Sequence, residues 1–336
     1  MDARSEEESF RPGILQSNAA GRRVQNGELH MSETTLKRTA ARRRSQLSRA
    51  QAKAAWGLSA PAIIIMFLFM ILPFFMSVFY SFTNRKLVVN PKNPTAFVGL
   101  DNYVKTFTNR TALKAFFNTF EYTIILVPSV LVLATLLALL INRKAKGVTL
   151  FRMIYFSPQV VTMTVVTVIW GFFFSSTSDG LFNSLLGLFG LPSQKWLQDT
   201  GLAMPAIAIM SIWQCVGLQM IIVLGGLQFI PEELYEAGTI DGADTWQQFI
   251  YITIPQLKNT LVYVFISNTI YSLKMFTQVY MLTQGGPANS TTTLVYLMYQ
   301  EGFTNNRVGY TSALAVVFFL IVLVISLIQN KVTEGD

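Results

Sequence analysis

Six separated apolar runs constrain this chain more than any other feature. Trp56–Phe82, Asn118–Ile141, Phe151–Phe174, Ala203–Ile230, Leu261–Leu282 and Ser312–Ile328 each approach or exceed the roughly 20 residues that carry a helix across a bilayer. In hydrocarbon every backbone polar group must be satisfied within the segment, so such runs fold as helices. The expected class is all-α: a polytopic membrane protein with six transmembrane helices. Pro61, Pro73, Pro128 and Pro158 fall inside the first three runs and predict kinks or local unwinding there. Only 13% of the 336 residues are charged, against about a quarter in ordinary soluble chains. The charge gathers in the first fifty-odd residues and in short clusters between the runs.

Those clusters set the orientation. The segment before the first run carries Lys37, Arg38, Arg42, Arg43, Arg44, Arg49 and Lys53, and the turn between the second and third runs carries Arg143, Lys144, Lys146 and Arg152. Loop 175–202 has only Lys195 and loop 283–311 only Arg307. Basic loops stay in the cytoplasm, so a multi-pass protein of a bacterial inner membrane with both termini cytoplasmic is expected. Loop 83–117, with Arg85, Lys86 and Lys92, runs against that pattern. Residues 1–55 read as a basic, disordered cytoplasmic arm, 56–330 as the membrane domain and 331–336 as a short cytoplasmic tail. Met31 opens a second plausible start, so residues 1–30 are either part of the arm or an extension beyond the native protein.

Several functions are excluded by what the chain lacks. His30 is its only histidine and Cys215 its only cysteine, which rules out His- or Cys-based metal sites and Ser-His or Cys-His nucleophiles. No Gly-rich loop is followed by Lys-Ser/Thr, so the chain has no phosphate cradle of the P-loop type. The net charge of +8 lies mostly in the arm, and no nucleic-acid reader domain follows it. No catalytic residues and no bound cofactor are expected.

Loop 231–258 is the chain's most distinctive hydrophilic segment. Pro231 suits a first helical position, and Glu232, Glu233 and Glu236 suit the positive end of a helix dipole. Asp241-Gly242 makes a break, after which a second short helix over about Ala243–Ile252 should end before Pro255. Leu234, Tyr235, Trp246 and Phe249 supply apolar anchors, Glu236 and Asp244 charge. Such a hairpin could lie on the headgroups or dock onto another protein. Three acids close together favour docking, because anionic headgroups would repel them.

Glu236-Ala237-Gly238, then Asp241-Gly242-Ala243, then Phe249, Ile252, Ile254 and Pro255 resemble the EAA loop of ABC importer permeases in order and in placement between two late spans. The family's pattern is Glu-Ala-Ala, a glycine a few residues on, and an apolar-x-apolar-Pro ending. Gly238 stands in the third place of the triplet. Two more stretches are similar to the carbohydrate branch, of the maltose- and glycerol-phosphate first-permease type. One is FVGLDNYVKTF with Phe97, Gly99, Asn102 and Tyr103. The other runs from Leu273, Lys274, Phe276 and Tyr280 into LTQGGPANSTTTLVYLMYQ with Gly285, Gly286 and Pro287.

The resemblance implies a sugar importer in which a solute-binding protein delivers substrate. It also implies a second, homologous permease subunit, and two ATP-binding subunits that use ATP and Mg and receive the loop. Glu236 and Gly242 would govern that contact. Intramembrane polar residues are costly and therefore functional or helix-pairing. Ser211, Cys215 and Gln219 fall on one stripe of the fourth span with Gln214 beside it, and Asn268, Tyr271 and Ser272 share a face of the fifth. Lys274 lies on a different side. Gln214, Gln219, Asn268, Tyr271, Ser272 and Lys274 are the candidates for a substrate path, and interhelical hydrogen bonding would use the same groups. A permease for a non-sugar solute would keep the Glu236 loop but lack the FVGLDNY and GGP stretches. An ion-coupled secondary transporter would carry acids within its spans and paired broken helices, and neither is visible.

Overall fold

A computed structural model describes residues 51–88, 91–92, 94–142 and 147–334. The expected arm, apart from its last five residues 51–55, lies outside the described residues, as do Arg143, Lys144 and Lys146. The chain divides into two units, Met1–Phe74 and Phe75–Asp336. Everything concerning the loop and the polar groups below belongs to the second.

The helices in order are α1 (Gln51–Ser81), α2 (Asp101–Thr108), α3 (Arg110–Ile141), α4 (Val148–Val160), α5 (Met163–Phe173), α6 (Leu181–Leu188), α7 (Ala203–Gln228) and α8 (Glu232–Ile240). They continue with α9 (Thr245–Leu273), α10 (Thr277–Leu282), α11 (Leu294–Tyr299) and α12 (Val308–Glu334). Among the described residues five helices are long and apolar enough to cross a membrane, with a sixth if α4 and α5, bent by 98° at their junction, together make one. Among the described residues the only strand-like pairing is one bridge between Thr83 and Phe97.

The expected third span is therefore not one helix. Thr162 and Val161 take extended backbone, three residues past Pro158. The carbonyl that Val161 leaves open accepts a hydrogen bond from Gln214 Nε2 on α7 (3.0 Å), which meets the demand that buried backbone be satisfied. Pro128, by contrast, does not interrupt α3. The next hydroxyl, Ser129 Oγ, donates to the Ile125 carbonyl (2.6 Å), and α3 packs along α7. Pro61 likewise sits in unbroken helix.

Two other prolines share one device. A π turn at Phe67–Ile71 precedes Pro73, and one at Phe249–Thr253 precedes Pro255, each with a single residue between. In both, the intervening amide reaches back five residues, Leu72 to Phe67 and Ile254 to Phe249. The wider turn moves aside the carbonyl with which the proline ring would clash. The short helix expected to stop before Pro255 consequently runs on into the helix of the fifth span, which begins at Thr245 rather than Leu261. That span ends at Leu273, and the expected stretch to Leu282 is the separate α10.

The core is built on α3 and α7. Towards one end Tyr122, Leu126, Val166, Met204, Ile207, Met210 and Val279 pack together. Towards the other, Ala134, Ala138, Met220, Val223, Leu224, Leu257 and Val264 do so. Small residues permit the closest crossings. A side chain on Gly217 would run into the backbone carbonyl of Tyr155 on α4, so that crossing requires glycine.

Candidate functional site

The loop between α7 and α9 folds as two helical pieces around one elbow. Glu232 and Glu233 occupy the first turn of α8, and Pro231 stands at its N-cap. At its other end the Gly242 amide donates to Thr239 O (3.1 Å) and the Ala243 amide to Gly238 O (2.8 Å). With Gly242 at φ +81° this pair of bonds is a Schellman motif, which uses the conformation that glycine adopts most readily. Asp244 then caps the next turn. Its carboxylate accepts from the Gln247 amide (2.7 Å), and Gln247 Oε1 accepts from the Asp244 amide (2.9 Å), a complete capping box.

Side chains lock the elbow to α9. Gln248 Nε2 donates to Thr239 Oγ1 (3.0 Å), and the Tyr235 and Thr253 hydroxyls pair at 3.0 Å. A Cβ on Gly238 would stand 2.9 Å from Ile252 Cδ1, so a small residue in the third place of the triplet lets α8 lie against α9. Gly238, Ala243 and Phe249 are half-buried in this contact, whereas Glu236, Ala237, Asp241, Gly242 and Pro255 are exposed. The outward surface also carries apolar side chains: Ile240 is 86% and Trp246 67% exposed. Behind the knob a cleft of about 580 Å³ is lined by Leu136, Leu139 and Asn142 of the α3 end together with Tyr235, Trp246 and Phe249. The arrangement is a rigid projection with an acidic and apolar outer face, suited to insertion into a groove on another protein.

The substrate-path candidates separate into groups. Gln214, Gln219, Asn268 and Ser272 are buried, Lys274 is exposed, and Tyr271 is 43% exposed. Tyr271 therefore does not share the burial of Asn268 and Ser272. Three buried candidates already have partners. Gln214 donates to the α4–α5 bend, Asn268 Nδ2 donates to Val264 O of its own helix (2.7 Å), and Ser272 Oγ donates to Thr123 Oγ1 on α3 (3.0 Å). Gln219 Oε1 is buried with no partner, and the buried Tyr122 hydroxyl makes no hydrogen bond of good geometry. Tyr122 lies beside Ser211 and Gln278. Neither Tyr122 nor Gln278 stands out in the sequence, because Tyr122 lies in the second apolar run and Gln278 near the end of the fifth, and only tertiary packing brings them together.

The FVGLDNY and GGP stretches have structural work. Asn102 Nδ2 donates to the Ser81 and Thr83 carbonyls (both 2.8 Å), and the hydroxyls of Tyr103 and Ser81 pair at 2.6 Å. Asn118 Nδ2 on α3 donates to Asn289 O and Thr292 O (both 2.8 Å). A side chain on Gly285 would run into Thr292 Oγ1.

The family described as binding-protein-dependent transport system inner membrane component matches residues 106–333. The chain belongs to this family. It is a multi-pass inner-membrane permease subunit of an ABC transporter and not itself an enzyme. The permease is 33% identical to the arabinooligosaccharides transport system permease protein AraP of Bacillus subtilis over 92% of this chain and 97% of that one. It is 35% identical to the multiple sugar-binding transport system permease protein MsmF of Streptococcus mutans, over 83% and 94%. To the trehalose/maltose transport system permease protein MalF of Thermococcus litoralis it is 32% identical, over 86% and 96%. Its fold is similar to that in the crystal structure of a bacterial ABC transporter that imports the polysaccharide alginate, with a TM-score of 0.73 at 23% identity, covering 85% of this chain and 98% of that one.

Proposed function

We propose that this permease imports a sugar or sugar derivative handed to it by an extracytoplasmic solute-binding protein. It works beside a second, homologous permease subunit and is driven by two ATP-binding subunits that use ATP and Mg. The observation that carries the reading is the knob at Glu236–Pro255, braced by its elbow and capping box, with its acidic and apolar face free. Each ATP-binding subunit would hold one such knob, and closure of the ATP-bound pair would draw the knobs together and swing the bundle open outward. Glu236, Ala237, Asp241 and Gly242 face the contact, while Gly238, Ala243, Phe249 and Pro255 hold its shape. The printed names of three relatives, for arabinooligosaccharides, multiple sugars and trehalose/maltose, support the substrate class. Both termini are cytoplasmic in this reading, supported by the basic residues preceding α1 and in the turn before α4.

Within the membrane, Gln219 fits substrate contact best, because its unpartnered Oε1 would be satisfied by a sugar hydroxyl, with the Tyr122 hydroxyl buried beside Ser211 and Gln278 as a second group. Gln214, Asn268 and Ser272 serve helix packing first. Tyr271 offers a ring face to the same path, and Lys274 reaches towards its outer end. The deciding experiment reconstitutes the permease with its partner subunits and binding protein in liposomes and follows ATP-dependent uptake of labelled oligosaccharides. Uptake that requires ATP and binding protein, and is lost in Glu236→Ala with assembly intact, is expected. Uptake driven by an ion gradient without ATP would overturn the reading.

A further inference from the structure

Arg85, Lys86, Lys105 and Arg307 line one pocket of about 530 Å³, together with Asn84, Asn109 and Tyr310. It lies at the Arg110 end of α3, whereas the knob packs at the Ile141 end. The two are separated by a 32-residue helix, about 48 Å at a rise of about 1.5 Å per residue. Arg85 and Lys86 are the loop cations that oppose the orientation pattern, and the fold has gathered them into this cleft with Lys105. Positive charge is disfavoured in such loops, so its concentration in a single pocket calls for a reason.

The pocket is chemically incomplete. Arg307 pairs with Glu301 (3.3 Å), but among the described residues no carboxylate pairs with Arg85, Lys86 or Lys105. Arg85 instead lies over the ring of Tyr80, 4.4 Å from its centroid. Tyr310 is only 8% exposed, and its hydroxyl lies close to Thr106 without a hydrogen bond of good geometry. Three cations without a carboxylate partner, beside a tyrosine hydroxyl, are groups that bind a phosphate.

The pocket is also built rather than incidental. The Gly309 amide donates to Arg85 O (2.9 Å) and the Val88 amide to Asn306 Oδ1 (2.7 Å). A side chain on Gly309 would run into the Thr83 carbonyl. These contacts clamp the loop after α1 to the start of α12. Beside the pocket, α2 buries Asn102 and Thr106 and exposes Val104 and Phe107, in line with Leu100 at its N-cap. An exposed apolar stripe next to cations and tyrosines is the pattern of a helix lying in the lipid interface. That stripe argues for a lipid over an acidic protein as the source of the anion.

We propose that this pocket holds the phosphate of an anionic phospholipid whose acyl chains lie along the Leu100–Val104–Phe107 stripe of α2. That the lipid belongs to the outer leaflet rests on the orientation proposed above. Bound there, it would fix α2 and the α1–α12 clamp against the bilayer.

The test uses the assembled transporter in nanodiscs of phosphatidylcholine with and without phosphatidylglycerol, with native mass spectrometry counting the lipid retained. Wild type should retain phosphatidylglycerol over phosphatidylcholine. Each cation contributes about fivefold, so R85Q/K86Q/K105Q should weaken retention on the order of a hundredfold. K86Q or K105Q alone, at exposed positions that leave the fold intact, should each weaken it about fivefold, Y310F should weaken it measurably, and K195Q in another loop should not. Equal retention by wild type and the triple variant would overturn the proposal. So would displacement of the lipid by millimolar inorganic phosphate, which would make the ligand a free anion, or loss of binding-protein docking with lipid retention unchanged. Labelling of K86C by a membrane-impermeant maleimide in intact cells tests the orientation separately, since the native Cys215 is buried. Without labelling the leaflet assignment falls while the lipid result stands on its own.

Discussion

Substituting Gly242 separates backbone geometry from bulk at the centre of the docking knob. A Cβ at this position would meet nothing within 4 Å in this chain, so its cost within the permease is conformational alone. An L-residue in the left-handed region costs about 1–2 kcal/mol, which corresponds to roughly a 5–30-fold loss in the population of the native elbow. Asparagine tolerates that region better, and a β-branched residue is an outlier there. The expected order of binding-protein-stimulated ATPase activity in the reconstituted transporter is therefore Gly, then Asn, then Ala, with Val far below. Binding of the permease to the isolated ATP-hydrolysing subunit should follow the same order. The Schellman bonds from Gly242 and Ala243 would survive in Asn and be strained in Val. If Ala and Val both match wild type, the elbow's geometry is irrelevant to coupling. If Asn is as damaging as Val, the partner rejects bulk at this position and the conformational argument fails.

Other substitutions probe the scaffold and the path. Asn102→Ala removes both donors from the Ser81 and Thr83 carbonyls and should destabilise the loop after α1 by about 2–3 kcal/mol, read as a lower thermal unfolding midpoint in detergent; an unchanged midpoint would contradict the stapling role. Gly217→Ala forces α7 off the α4 backbone and should cost about 3 kcal/mol, seen as poor assembly of the purified subunit. Gln219→Leu should leave unfolding unchanged and raise the KM for uptake, because its Oε1 has no partner in this chain. Gln214→Leu should do the reverse, because it removes the donor to Val161 O at the bend.

The sequence made the spans readable because lipid imposes one rule, a long apolar run, and six such runs are present. It misjudged places where backbone is satisfied from elsewhere. The bend at Val161 depends on Gln214, a residue some fifty positions away whose amide happens to face the gap. Pro128 leaves α3 continuous, a helix that packs along α7, and Pro255 lies within α9 because a π turn moves aside the carbonyl its ring would meet. No local signal announces either outcome. The elbow was visible in Asp241-Gly242 because only glycine readily takes that φ, whereas the partners of Tyr235 and Gln248 on the opposite helix were not. The pocket at Arg85 was hidden for a similar reason. Its cations come from three separate elements, and in sequence they register only as an exception to the charge pattern.

The central claim is that loop 231–258 is gripped by a separate ATP-hydrolysing subunit. The most direct measurement places a photocrosslinking thiol reagent at Ala237→Cys and Ile240→Cys, both exposed on the knob, with the buried Thr253→Cys as control. Illumination of the assembled transporter in native membranes should join both exposed positions to the ATP-hydrolysing subunit and leave the control unjoined. Crosslinks to lipid alone at Ala237 and Ile240, in a transporter that still imports, would contradict it.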